Sequence, residues 1–209
     1  MQAKPIILLD LDNTLFDSFS YRKRVFTKIG NVSLCQKIYD EMIKEFGYFF
    51  PETFAKIISK RFRKQTEEKI MNIIFDPKHF RGNLHKEVLN SLKKLTMIGE
   101  VGILSQGDKK FQNAKITHFK HLLNRDHIHI VADKKSDMMD VFKNLRQHKV
   151  YFVDDMLPML AAAKKINPSI VVIWMKRGRY AQNQKEISGF APDAEVENLS
   201  EVVKIVKEN

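Results

Sequence analysis

The sequence predicts an α/β protein, a Rossmann-like doubly wound parallel sheet interrupted by an all-α insertion. Three observations carry that prediction. Ile6-Ile7-Leu8-Leu9 is an unbroken apolar run of the kind found in strands buried on both faces. Similar runs recur at 101–104, 150–153 and 170–174, with a shorter and more polar one at 127–131. Stretches with helical spacing lie between them, at about 84–97, 108–124, 136–147 and 156–166, and regular alternation of the two patterns makes parallel βαβ units.

Taken in order, the first strand is central because both of its faces are apolar. The stretch that follows shows no strand pattern and reads as several amphipathic helices. Phe46, Tyr48, Phe49, Phe50, Phe54, Ile57, Ile58 and Phe62 supply its apolar faces, and Pro51 suits the first turn of a helix. Turn signals near 17–20 and 76–83 mark its junctions. The expected division is therefore an α/β core of residues 1–16 and 83–209 and a helical unit of residues 17–82. Near the end, 193–196 suits an edge strand, and Ser200 can cap a short helix running through Val206.

Composition excludes several classes of function. A chain of 209 residues with 44% hydrophobic and 29% charged residues can bury a sizeable core and is neither disordered nor fibrous. The single cysteine, Cys35, excludes an internal disulfide and a multi-cysteine metal site, and reads as a small half-buried hydrophobe. The apolar run at 5–11 is too short for a signal peptide and is interrupted by Asp10, and no stretch is long enough to span a membrane, so a cytoplasmic protein without a membrane partner is expected. The net charge of +11 is spread, +5 in residues 17–80 and +6 in the rest, which disfavours a nucleic-acid-binding arm.

The strongest local signal is Asp10-Leu11-Asp12-Asn13-Thr14-Leu15-Phe16, directly after the first strand. Alternate side chains of an extended chain share a face, so Asp10 and Asp12 point together at the carboxyl edge where open parallel sheets bind ligands. Such a pair can divide labour, one carboxylate ionised as nucleophile and the other raised in pKa as general acid. An apolar strand followed by Asp-x-Asp-x-Thr resembles the first motif of the haloacid dehalogenase-like (HAD) superfamily.

The remaining motifs follow in that family's order. Ser105-Gln106-Gly107-Asp108, at the end of the second strand, offers hydroxyl and backbone N–H donors to a phosphate oxygen and resembles the second motif, with Ser105, and Gln106 beside it, as phosphate-binding residues. Asp133-Lys134-Lys135-Ser136-Asp137 resembles the third, in which a lysine pairs with nucleophile and phosphoryl group. Lys135, just before a helix that Ser136 would cap, is the preferred lysine and Lys134 the alternate. Tyr151-Phe152-Val153-Asp154-Asp155 resembles the fourth, its acids being hard oxygen ligands that suit Mg²⁺. The further aspartate common in that motif is missing from 156–163, which leaves the roles of Asp154 and Asp155 open; Asp155 is favoured as the direct ligand.

The resemblance implies a Mg²⁺-dependent phosphatase of a small phosphorylated metabolite, a nucleotide or sugar phosphate among the candidates. It implies that Asp10 forms an aspartyl-phosphate, that Asp12 is the general acid and base, that Asp10, Asp12 and Asp155 or Asp154 hold the metal, and that 17–82 is a substrate-selecting cap. Asn13 and Thr14 are expected to hold the loop by side-chain hydrogen bonds. A phosphomutase or dehalogenase of the same superfamily, or a non-catalytic polyanion-binding protein on this scaffold, are the alternatives. Lys56, Lys60, Arg61, Arg63 and Lys64 form a basic run that reads as a solvated helix face, and Arg177 and Arg179 read as parts of a surface loop.

Overall fold

The computed structural model describes residues 4–208 and contains one six-stranded sheet, all of whose pairings are parallel, in the order β3-β2-β1-β4-β5-β6. The strands are β1 (Ile6–Leu9), β2 (Glu100–Gln106), β3 (Ile128–Val131), β4 (Val150–Asp154), β5 (Val171–Met175) and β6 (Ala194–Val196). The apolar runs bury on alternating faces. Ile7 and Leu9 join Val101, Ile103, Tyr151 and Val153 on one side, whereas Ile6 and Leu8 join Leu104, Val150 and Phe152 on the other. The strand order reverses beside β1, and the crevice between β1 and β4 is where a doubly wound sheet receives ligands.

Between β1 and β2 lie α1 (Ser18–Ile29), α2 (Val32–Phe46), α3 (Pro51–Arg61), α4 (Glu67–Ile74), α5 (Pro77–Gly82) and α6 (Val88–Ile98). Local chemistry sets the ends of the first five. Asp17, Asn31, Thr66 and Asp76 accept backbone N–H bonds as N-caps, Pro51 and Pro77 occupy first turns, and Gly30 and Gly47 close α1 and α2 in the left-handed conformation. These helices share a single apolar cluster with one sheet face. Tyr21 lies 5.4 Å from Phe16, 5.6 Å from Phe80 and 5.7 Å from Phe111, ring centre to ring centre, so aromatic packing ties the helical segment to the core.

The other helices are α7 (Lys109–Ile116), α8 (Lys134–Asn144), α9 (Leu157–Ile166), α10 (Gly178–Gln182) and α11 (Leu199–Glu208). Three sequence expectations need correction. The helix expected over 108–124 stops at Ile116, because the chain turns there through two short 3₁₀ segments that bring the Asn124 N–H onto the Val101 carbonyl and feed β3. α8 starts two residues before Ser136, since Asp133 accepts the N–H bonds of Lys135 and Ser136 and is the actual cap. Asn198, not Ser200, accepts the free N–H groups that open α11. Cys35 is fully buried, and burial pushes its thiol up to about 11. No helix among the described residues is long and apolar enough to cross a membrane.

Gly102 stands where the sheet leaves no room for a side chain. A Cβ there would come within 2.3 Å of the His127 carbonyl oxygen and 2.8 Å of Leu8 Cδ2. Gly102→Ala is expected to lower stability by about 1–3 kcal/mol through overpacking, read from the urea midpoint.

Candidate active site

The register of β1 and β4 builds the site. Leu9 is paired with Val153, so the next residues, Asp10 just past β1 and Asp154 at the last position of β4, stand side by side at the sheet edge, and the Asp10 N–H donates to the Val153 carbonyl at 2.8 Å. Asp10, Asp154 and Asp155 are all buried and offer carboxylate oxygens within 4.8 Å of one another. Lys134 reaches into this group from the first turn of α8, its Nζ 2.5 Å from Asp10 Oδ1 and 2.6 Å from Asp154 Oδ2.

The preference for Lys135 is thereby corrected. Lys134 is 4% exposed and paired with two acids, whereas Lys135 is exposed and contributes a backbone N–H to the Asp133 cap. The earlier helix start explains this, because it moves Lys134 onto the inward face of α8.

Asp154 and Asp155 are held differently. Asp154 accepts the Met156 N–H at 2.8 Å through one oxygen and forms an ion pair with Lys134 through the other. Among the described residues the Asp155 carboxylate accepts only Asn13 Nδ2, at 3.2 Å, while its backbone carbonyl is fixed by Trp174 Nε1 at 3.1 Å and Gln184 Nε2 at 2.6 Å. Asn13 adopts a left-handed conformation, which asparagine tolerates, and this turns the loop so that its amide meets Asp155. The expectation for Thr14 is corrected. Its buried hydroxyl has no hydrogen-bond partner among the described residues, and its carbonyl accepts Arg177 Nη1 at 2.9 Å. Arg177 also pairs with Glu87 and is a structural clamp on this loop.

Asp10 and Asp12 sit in opposite electrostatic surroundings. Burial, reinforced by Asp154 and Asp12 and opposed by Lys134, pushes the Asp10 carboxyl up to about 7. Burial with Asp10 and Asp154 nearby pushes Asp155 up to about 9. Burial acts on Asp12 in the same sense but is outweighed by the Lys115 ammonium and by bonds from Gln112, Lys115 and Ser18, which hold its carboxyl below the usual range. Lys134 keeps its proton more firmly than an ordinary lysine, because the attraction of Asp10 and Asp154 exceeds the cost of its burial.

On the β2 side, Ser105 is buried at the strand end, and its Oγ accepts Gln112 Nε2 at 3.1 Å. Gln106 is half-buried, with Gly47 of the helical segment against its amide. The basic run of Lys56, Lys60, Arg61, Arg63 and Lys64 is exposed, as a solvated face should be.

Sequence reasoning missed Gln112 and Lys115. Both are buried on the side of α7 that carries Phe111 and Ile116. A glutamine and a lysine three residues apart on the apolar face of a helix were the available signal.

A central parallel sheet with an acid-lined crevice after β1, and with helices inserted behind that loop, gives the chain the haloacid dehalogenase-like fold. It superposes on a haloacid dehalogenase-like hydrolase from Burkholderia xenovorans with a TM-score of 0.80 and 24% identity, covering 99% of this chain and 98% of that one. A magnesium-bound HAD-hydrolase from Bacillus subtilis matches at 0.65 and 13% identity, over 98% of this chain and 99% of that one. The L-2-haloacid dehalogenase of Xanthobacter autotrophicus matches at 0.67 and 15% identity, over 98% of both chains. By sequence the chain matches no family model and no curated relative.

Proposed function

We propose that this protein is a hydrolase of the HAD type and, more specifically, a Mg²⁺-dependent phosphatase of a small phosphorylated metabolite. The observation that carries this reading is the buried group of Asp10, Asp154 and Asp155 with one lysine among them. Ionised, three carboxylates beside one ammonium leave two negative charges in a buried site, and a divalent cation with hard oxygen ligands offsets that charge. The residues therefore fit Mg²⁺. Asp10 and Asp155 would hold it, with Asp12 supplying its backbone carbonyl and Asp154 positioning Lys134. Bound there, the ion would supply positive charge to the transferring phosphoryl group.

The steps assigned to the chain's own residues are few. The Asp10 carboxylate attacks phosphorus, an Asp10–phosphorus bond forms, and the ester oxygen leaves with the proton that Asp12 provides. Water then attacks the same phosphorus, Asp12 takes its proton, and inorganic phosphate departs with Asp10 restored. Lys134 and Ser105 bind phosphoryl oxygens and Gln106 flanks them. Residues 17–82 act as a cap that selects the leaving group.

Phosphate release from nucleoside monophosphates, sugar phosphates and phosphorylated cofactors, with and without Mg²⁺, tests the reading. Metal-dependent turnover of one class is expected. Among the structural neighbours are L-2-haloacid dehalogenases, so halide release from 2-haloacids is the control arm. Halide release without metal, and no phosphate release, would replace the phosphatase by a dehalogenase. Polyanion binding with neither activity would favour a scaffold protein.

The paired acids also predict a pH dependence. From an ordinary value of 3.8, the Asp10 and Asp155 carboxyls are raised to about 7 and about 9. Across that interval the folded chain holds protons that the unfolded chain has lost, so their contribution to stability is present at low pH and drains away as pH rises. In EDTA the melting temperature should fall between about pH 5 and pH 9, and Mg²⁺ should raise it by several degrees more at pH 9 than at pH 5. Equal Mg²⁺ effects at both pH values would argue against a metal among these acids.

A further inference from the structure

Asp12 is bound more tightly than a residue that must exchange protons needs to be. Its two carboxylate oxygens receive four contacts: Lys115 Nζ at 2.7 and 2.9 Å, Gln112 Nε2 at 2.8 Å, and the Ser18 hydroxyl. The Asp12 side chain is about one-third exposed, whereas Lys115 and Gln112 are almost fully buried, so the fixed partners lie beneath and the carboxylate remains open to the crevice.

The supports are themselves built in. Lys115 Nζ lies over the rings of Phe111, at 4.4 Å, and Phe16, at 5.1 Å, which leaves the ammonium few other positions. Gln112 Nε2 also reaches the Gln106 carbonyl at 2.8 Å and Ser105 Oγ at 3.1 Å, so one amide joins Asp12 to the loop after β2. That amide fits only because residue 107 is glycine. A Cβ there would stand 2.9 Å from Gln112 Nε2, and its φ of +150° is also one that other residues rarely adopt.

We propose that Lys115 and Gln112 of α7 are positioning residues for Asp12, holding its carboxylate in the one orientation from which it serves the reaction at Asp10. The proposal rests on the phosphatase reading and adds α7 to the apparatus. Two fixed donors from one rigid helix restrict the carboxylate in a way that solvent would not, and a misplacement of about 1 Å in such a group costs about 100-fold in rate.

The test is a double-mutant cycle on Mg²⁺-dependent phosphate release from the best ester in the panel. Lys115→Met should lower kcat by about 100-fold with KM changed less than threefold, and Gln112→Leu should lower it by about 10-fold. Lys115→Arg should restore part of the loss. Lys109→Met, on the exposed side of the same helix, should leave turnover unchanged. In an Asp12→Asn background, Lys115→Met should cost less than threefold, since a residue that acts through Asp12 has nothing left to act on.

Equal losses in both backgrounds, or a loss seen only in KM, would overturn the proposal while leaving the phosphatase standing. A wild type inactive on every ester would remove both. Should Lys115→Met fail to fold, the cycle is run with Lys115→Arg and Gln112→Leu, and additive losses in those variants overturn it equally.

Discussion

Asp10→Asn is expected to abolish phosphate release, by roughly four orders of magnitude or more, because loss of a nucleophile removes the covalent route outright. The fold should survive. Asp10 is 6% exposed and pressed against Asp154, and a neutral amide in its place relieves like-charge repulsion that costs about 4 kcal/mol per unit pair at 4 Å and an effective dielectric near 20. The variant should therefore show a metal-free urea midpoint at pH 8 equal to or above that of the wild type, with no turnover. Wild-type-like rates in Asp10→Asn would reassign the nucleophile. A collapsed fold would show that the Asp10–Lys134 pair outweighs the repulsion.

Lys134→Met is expected to have the second largest effect, on rate and on stability together. Its ammonium is the cation paired with both Asp10 and Asp154. Removing one partner of a buried ion pair costs about 3–5 kcal/mol, because the remaining charges stay desolvated without compensation. Turnover should fall by roughly 10²–10³, as for loss of a single preorganised donor to a transferring group. Lys135→Met is the internal comparison, one residue away and exposed, and should stay within about 0.5 kcal/mol of the wild type. Phosphate release and urea unfolding in both variants decide the matter. Equal effects of the two substitutions would mean that Lys134 does not make the contacts described.

The four motifs were legible because each is local. An apolar run ending in an acid fixes which residue leaves a strand at the carboxyl edge, and the period of two fixes its face, so Asp10, Ser105 and Asp154 could be placed at the same edge from sequence spacing alone. The choice between Lys134 and Lys135 was not legible, because it turns on a helix start. Asp133 and Ser136 are both good caps, and selecting Asp133 starts the helix three residues earlier, which brings both lysines into its first turn with one inward and its neighbour in solvent. The donors around Asp12 were not legible for a related reason. Adjacency in the chain said nothing of Lys115, more than a hundred residues away, which reaches Asp12 from α7.

The sequence by itself determined the parallel sheet, the all-helical character of the segment after β1, and the set of residues gathered at the sheet edge, because periodicity, caps and turn chemistry act over a few residues. Tertiary structure alone decided which lysine meets which aspartate, and which carboxylate beside Asp10 is met by an asparagine amide rather than by an ammonium. Those outcomes depend on distances between elements remote in the chain, and the charge state of a buried group follows from whatever folding brings next to it.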